Sequence, residues 1–217
     1  MTKTVIAGAS GLVGSKLLDI LLQGNDYQYV TILVRKELPV SNSKLKQIIT
    51  DFAKLEEVAD EINGDALFSC LGSTRKKTPD LAVYRKIDHD YPLQIAEIAK
   101  RNGMQRCHLV SSMGANASSS NFYTKMKGEI EDDIQKVGLP CLHIYRPSQI
   151  TGNRKENRPL ERVFIATMNV LNPLLVGSLR NFRSIPAETI ARAMYKQSLI
   201  KQEGVFIHLS EQIKELS

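Results

Sequence analysis

The sequence predicts an α/β fold, a doubly wound, mostly parallel sheet with helices on both faces, and three observations predict it. Strand-like apolar runs alternate with helix-period patterns along most of the 217 residues. A turn with glycines at fixed spacing, Gly8-Ala9-Ser10-Gly11-Leu12-Val13-Gly14, leaves the first strand and opens the first helix. The composition, 42% hydrophobic and 24% charged, is that of a globular chain long enough for one sizeable core.

Each element follows in order. Thr4 to Ala7 reads as a buried strand. Leu12 to Gln23 carries Leu12, Val13, Leu17, Leu18, Leu21 and Leu22 at helical spacing, and Gly24-Asn25 ends it. Tyr29 to Val34 is a second strand, Leu55 to Ile62 a short helix and Ala66 to Leu71 a third strand. Leu81 to Asn102 is one long helix closed by Gly103. Cys107 to Ser111 is a fourth strand, Tyr123 to Val137 a helix closed by Gly138, and Cys141 to Arg146 a fifth strand. Beyond Pro147 the pattern loosens, punctuated by Pro159, Pro173 and Pro186, with a helix expected over Ala187 to Leu199 and a strand over Val205 to Leu209. This is the order of a Rossmann fold, read as one domain over 1–217, with 147–217 as a substrate-side extension of it.

Charge and composition narrow the function classes. The net charge is +6, from 29 basic and 23 acidic residues, which suits a solvated basic surface or an anionic ligand. There is no long Lys/Arg run interleaved with aromatics, so nucleic acid is not an expected partner. No apolar stretch approaches about 18 residues, so no membrane span is expected. With no secretory apolar core near the N-terminus, the expected compartment is cytoplasmic. Cys70, Cys107 and Cys141 are odd in number and form no CxxC pair, and read as free thiols of a reducing compartment. His89, His108, His143 and His208 show no metal-ligand spacing, and no metal is expected.

The glycine turn carries the first chemistry. Gly8 allows a tight turn, Gly11 lets the backbone approach a pyrophosphate, and Gly14 lets the helix pack close to the sheet. Free N–H groups of the first helical turn and the helix dipole then favour the anion. The second strand ends Val34-Arg35-Lys36, where a site for the unphosphorylated dinucleotide usually has an acidic residue. Arg35 offers a planar fork to a ribose 2′-phosphate and Lys36 can assist, so NADP(H) is the expected cofactor.

Tyr123 and Lys127 form YxxxK. Four residues apart they share one helix face, and an ammonium there stabilises the phenolate of a general acid. The motif alone matches by chance, so its placement decides. Ser111-Ser112 ends the preceding strand, on the edge of a parallel sheet where ligands bind, and either hydroxyl can bond a substrate oxygen. Arg75-Lys76-Lys77, Arg154 and Arg158 are further cations near the expected cleft, and the apolar stretch Val163 to Leu175 could roof a pocket or meet a partner.

Together these residues resemble the short-chain dehydrogenase/reductase superfamily, in an atypical, extended-like branch, and within it the Tat-interacting-protein oxidoreductase family. The resemblance rests on the glycine turn, Cys70-Leu71-Gly72-Ser73-Thr74-Arg75, Asp88-His89-Asp90-Tyr91, Leu109-Val110-Ser111-Ser112-Met113-Gly114-Ala115 and Ser120-Asn121-Phe122-Tyr123 with Lys127-Gly128-Glu129. It continues in Tyr145-Arg146-Pro147 and in Asn153-Arg154 through Arg158-Pro159. It implies that Gly8, Ser10, Gly11, Leu12, Val13 and Gly14 cradle the pyrophosphate and that Arg35 reads the 2′-phosphate. It also implies that Asp51 and Phe52 border the adenine, that Cys70, Leu71 and Gly72 line the middle of the cofactor, and that Pro147 and Ser148 lie beside the nicotinamide. Tyr123 and Lys127 would be the catalytic pair, with Ser112 or Ser111 as the serine. The chain departs from the superfamily's standard form in having Gly72-Ser73-Thr74 in place of Asn-Ala-Gly.

The expectation is an NADPH-dependent oxidoreductase, carbonyl reductase-like, acting on a small or medium apolar substrate. Two alternatives stand beside it: an NADPH-binding protein whose main work is with a protein partner, and an epimerase with tightly bound cofactor. Nothing in the pattern fixes an oligomeric state.

Overall fold

The computed structural model describes residues 2–152 and 177–217. Seven strands form one parallel sheet: β1 (Lys3–Ala7), β2 (Tyr29–Val34), β3 (Leu45–Ile49), β4 (Ala66–Ser69), β5 (Arg106–Val110), β6 (Cys141–Arg146) and β9 (Gly204–Leu209), in the order β3-β2-β1-β4-β5-β6-β9. Every neighbouring pair is parallel. A two-stranded parallel pair, β7 (Ile150–Thr151) and β8 (Ile185–Pro186), lies apart from it. The order reverses between β1 and β4, so the chain leaves these strands in opposite directions and a crevice opens at their C-terminal ends.

Side-chain alternation along each strand feeds two cores. Ile6 of β1 joins Ile32, Phe68 and Tyr145 on one face, against Leu17, Leu18 and Leu21 of α1 (Leu12–Gln23) and Ile190, Ala193 and Met194 of the helix Ala187–Ser198. Val5 and Ala7 join Leu67, Leu109 and Ile144 on the other, against the helices Tyr91–Arg101 and Phe122–Val137. Each fully buried Leu or Ile adds roughly 1.5–3 kcal/mol. We number the helices α2 (Leu81–Arg85), α3 (Tyr91–Arg101), α4 (Phe122–Val137), α5 (Ala187–Ser198) and α6 (Ser210–Leu216).

Several expectations need correction. The short helix expected over Leu55 to Ile62 is a 3-10 segment, Phe52–Glu61, with non-helical backbone at Lys54 and Val58. Its buried side chains, Phe52 and Leu55, are three apart, the spacing a 3-10 turn puts on one side. The strand β3 lies in a stretch given no element from sequence. It is an edge strand, with Lys46 and Ile49 exposed and the rest half-buried, and lacks a continuous apolar run. The helix expected as one piece from Leu81 to Asn102 is α2 and α3 joined by a π-turn, Lys86–Asp90. Pro92, in the first turn of α3, has no N–H, and its ring would clash with the carbonyl four residues back, at Asp88. The wider turn, closed by the Tyr91 amide on the Lys86 carbonyl, relieves that clash. The C-terminal helix α6 was also not expected. Among the described residues no helix is long and apolar enough to cross a membrane.

Candidate active site

The glycine turn sits where β1 gives way to α1. Gly8 has φ +90°, and a Cβ there would lie 2.5 Å from the Cys70 carbonyl oxygen, so the turn presses directly on the end of β4. A Cβ on Gly14 would lie 2.2 Å from the Gly8 oxygen, and one on Gly11 3.1 Å from it. The helix thus packs onto its own entry turn. Gly11 is the N-cap and supplies no side chain to the first-turn amides, which leaves those N–H groups and the positive helix end suited to an anionic group. Ser10 is exposed and Leu12 half-buried, while Val13 is buried in the core. These features fit a dinucleotide pyrophosphate.

The flanking positions gather on the same sheet edge. Arg35 and Lys36 are exposed just past β2. Asp51 follows β3 and caps the 3-10 segment by accepting from the Ala53 amide at 3.0 Å. Phe52 is a core residue, tilted against Tyr91 at 5.7 Å between centroids. The Cys70 amide donates to the Ala7 carbonyl at 2.8 Å, and Leu71 and Gly72 continue outward from β4. Burial pushes the Cys70 thiol up to about 12, so it stays protonated and unreactive. Pro147 is buried, and its carbonyl accepts the Met113 amide at 2.9 Å. Ser148 does not offer its polar groups to the crevice: its amide donates to Ser210 Oγ at 2.7 Å and its hydroxyl to the Arg183 carbonyl.

Tyr123 and Lys127 stand on the first turns of α4, which begins at this edge with Asn121 as its cap. Tyr123 is 36% exposed, whereas Lys127 is buried. Its ammonium lies 3.0 Å from Asp88 Oδ1. Burial alone would make that ammonium shed its proton more readily, but the Asp88 carboxylate and the Tyr123 phenol outweigh burial and hold it above the usual lysine range. Lys127 thus already has a carboxylate partner, which the YxxxK spacing did not announce.

The two serines part ways. Ser111 is buried and its hydroxyl donates to Glu131 Oε1. Glu131, itself buried, also takes Arg146 Nε at 3.0 and 3.1 Å on its two oxygens. Ser111 as a catalytic hydroxyl is therefore corrected: a buried carboxylate holds it. Ser112 is half-buried, and its hydroxyl donates to the Met113 carbonyl at 3.3 Å.

Sequence reasoning missed Glu131, and gave no role to Asp88 although it stands in the quoted string Asp88-His89-Asp90-Tyr91. The signal was there for Glu131, which continues Tyr123 and Lys127 at four-residue spacing on one helix face. Asp88 lies in a π-turn whose geometry no periodicity shows. Arg154, Arg158 and the stretch Val163 to Leu175 lie outside the described residues, as do all the residues from Asn153 to Pro159 that carried the resemblance. Among the described residues no group of three or more His, Cys, Asp or Glu could hold a metal ion.

Residues 8–161 match the model of a family described as NAD(P)H-binding. The chain belongs to this NAD(P)H-binding family. Its relatives agree with the family found by resemblance. The chain is 36% identical over 196 residues to Protein HTATIP2 of Rattus norvegicus, covering 87% of this chain and 78% of the relative. It is 40% identical over 162 residues to Protein FMP52, mitochondrial, of Candida albicans, covering 72% and 71%, and 34% identical over 166 residues to the protein of that name in Saccharomyces cerevisiae, covering 71% and 68%. Among solved structures, the Bordetella bronchiseptica enzyme WbmH in complex with NAD+ superposes with a TM-score of 0.74 at 18% identity, covering 99% of this chain and 79% of that one. A UDP-N-acetylglucosamine 4-epimerase from Methanobrevibacter ruminantium superposes with a TM-score of 0.71 at 18% identity, covering 96% and 76%. These two establish the fold, a Rossmann-type architecture.

The FMP52 names overturn the cytoplasmic expectation. That expectation rested on the lack of a secretory apolar core and of a membrane span. Neither bears on a mitochondrial address, which amphipathic, Arg- and Ser-rich segments carry.

Proposed function

We propose that this protein is an NADPH-dependent oxidoreductase that reduces the carbonyl of a small or medium apolar substrate. The observation that carries the proposal is the pairing at the start of α4 of an exposed phenol, Tyr123, with a buried, charged ammonium, Lys127, one turn on. Cofactor binding alone does not call for a general acid beside the crevice. The bound nicotinamide supplies the two reducing electrons. Tyr123 gives the proton to the carbonyl oxygen, and the Lys127 charge stabilises the phenolate that remains. Ser112 donates a hydrogen bond to the same oxygen and aligns it. Arg35, with Lys36, pairs with the 2′-phosphate through charge-assisted hydrogen bonds. The amides of Leu12 and Val13, with Ser10 and the three glycines, hold the pyrophosphate. Asp51 and Phe52 border the adenine, Cys70, Leu71 and Gly72 the cofactor's middle, and Pro147 its far end. The names of the FMP52 relatives support a mitochondrial compartment, which fractionation of cells carrying the tagged protein tests.

Calorimetric titration with NADPH and NADH tests the cofactor reading. NADPH binds at least about tenfold more tightly, worth about 1.4 kcal/mol, and Arg35→Ala loses that preference. Turnover on a carbonyl found by screening then falls at least about 100-fold in Tyr123→Phe while NADPH affinity holds. Full turnover in that variant rules out Tyr123 as the acid.

A further inference from the structure

The loop that leaves β4 carries a cationic tip, Arg75-Lys76-Lys77, on a fixed base. The Thr74 carbonyl accepts the Lys77 and Thr78 amides at 2.8 and 2.9 Å, and the Ser73 and Thr78 hydroxyls share a 2.6 Å hydrogen bond. Beneath them Thr78 is buried and the Ser73 amide donates to Asp88 at 2.7 Å. Arg75 and Lys76 are exposed above this base. The base also reaches the site. The Tyr84 hydroxyl donates to the Ser73 carbonyl at 3.5 Å, and the Tyr84 ring stacks on Tyr123 with centroids 6.4 Å apart and planes 9° from parallel. Phe122 completes this aromatic corner, its ring 6.1 Å from that of Tyr84. The Arg75 charge is felt at the Tyr84 phenol, where it opposes the rise in pKa that burial, Asp88 and Tyr123 cause.

The carboxylates around the tip are engaged elsewhere. Asp80 accepts the Ala82 and Val83 amides at 2.7 and 3.2 Å. Asp88 holds Lys127 and Ser73, Asp90 holds His89, Glu129 pairs with Arg85, and Glu131 pairs with Arg146. Among the described residues no carboxylate pairs with Arg75 or Lys76, so positive charge stands uncompensated beside the exposed phenol of Tyr123. Because the base is fixed, an anion taken at the tip orders little more than the side chains that hold it. The planar guanidinium fork matches the two oxygens of a carboxylate.

We propose that Arg75 is a specificity residue of the site, which takes the carboxylate at the far end of a carbonyl substrate whose apolar body lies along the aromatic corner, with Lys76 adding charge. The proposal rests on reading Tyr123 as the general acid, and it narrows the substrate class to oxo acids with an apolar, ring-bearing body. A phosphate of the cofactor is the other source of negative charge for such a cation, and the test separates the two.

The test reads binding and not turnover. Protein saturated with NADPH is titrated calorimetrically with the meta and para hydroxymethylbenzoates, each against its methyl ester. These alcohols are the reduced forms of carbonyl compounds, so they do not react with NADPH, and a Tyr123→Phe protein of full turnover would end the general-acid reading without touching this result. At least one acid binds about tenfold or more tightly than its ester. Arg75→Gln, which keeps the native denaturation midpoint because the side chain is exposed, brings that acid to the affinity of its ester and leaves the affinities for the ester and for NADPH unchanged. Acids that bind no better than their esters, or that do not bind, overturn the proposal, as does a preference that survives in Arg75→Gln. A fall in NADPH affinity in that variant with the acid preference intact assigns Arg75 to a cofactor phosphate and overturns it as well.

Discussion

Single residues in this protein are constrained chiefly where backbone meets backbone. Gly14 is one such case, because a methyl group there would meet the Gly8 carbonyl, which cannot swing away as a side chain could. Gly14→Ala therefore forces α1 off its turn, costs about 1–3 kcal/mol in urea unfolding, and weakens NADPH binding in the same titration. Gly128 is equally confined, since its Cβ would lie 2.0 Å from the Ala117 amide nitrogen. The glycine turn was legible in the sequence because this kind of constraint admits one residue type. The serine pair was not. Ser111 and Ser112 are neighbours of identical chemistry, and only the buried Glu131 separates their roles. Removing that carboxylate leaves Arg146 without its partner. Glu131→Ala is expected to cost on the order of 3–5 kcal/mol, read as a lowered denaturation midpoint, whereas Ser112→Ala leaves the midpoint near native.

At the scale of elements, the sheet holds a cross-strand row that spacing did not announce. Phe68, His108, His143 and Phe206 occupy matched positions of β4, β5, β6 and β9, and their rings lie 4.8–4.9 Å apart in sequence across the sheet. His143 Nδ1 is hydrogen-bonded to His208 Nε2 at 2.8 Å, its Nε2 meets Gln202 at 3.2 Å, and His108 Nδ1 meets the Tyr145 hydroxyl at 3.1 Å. Burial, then the neighbouring His208, pushes His143 down to about 4. Burial, then His143, Arg106 and His208, holds His108 well below its usual range. Both are neutral in the folded protein and free to charge near pH 6.5 when unfolded. Stability is therefore full above about pH 6.5 and is lost progressively as the pH falls toward 4. Denaturation midpoints at pH 7.5, 6 and 5 check this, and His143→Phe flattens the decline. Elements with continuous apolar runs, such as β2 and β6, stood out in the sequence with their observed ends. The edge strand β3 and the π-turn did not, because one is shaped by its lone neighbour and the other by a missing N–H at Pro92.

The molecule as a whole is closed by contacts between distant stretches of chain. The buried Tyr27 hydroxyl donates to Ser198 Oγ at 2.9 Å across 171 positions, next to the packing of α1 on α5. Tyr27→Phe removes that bond and costs about 1 kcal/mol, seen as a lower midpoint with an unchanged denaturant slope. The pairing of α1 with α5 also bears on how the chain is made. When β1 and α1 leave the ribosome, Leu17, Leu18 and Leu21 lack the cover that α5 gives them, since α5 lies so far along the chain. At roughly 5–20 residues per second, the wait across those 171 positions is about 10–30 s. For that interval the part of the greasy face that α5 covers in the finished molecule stays open.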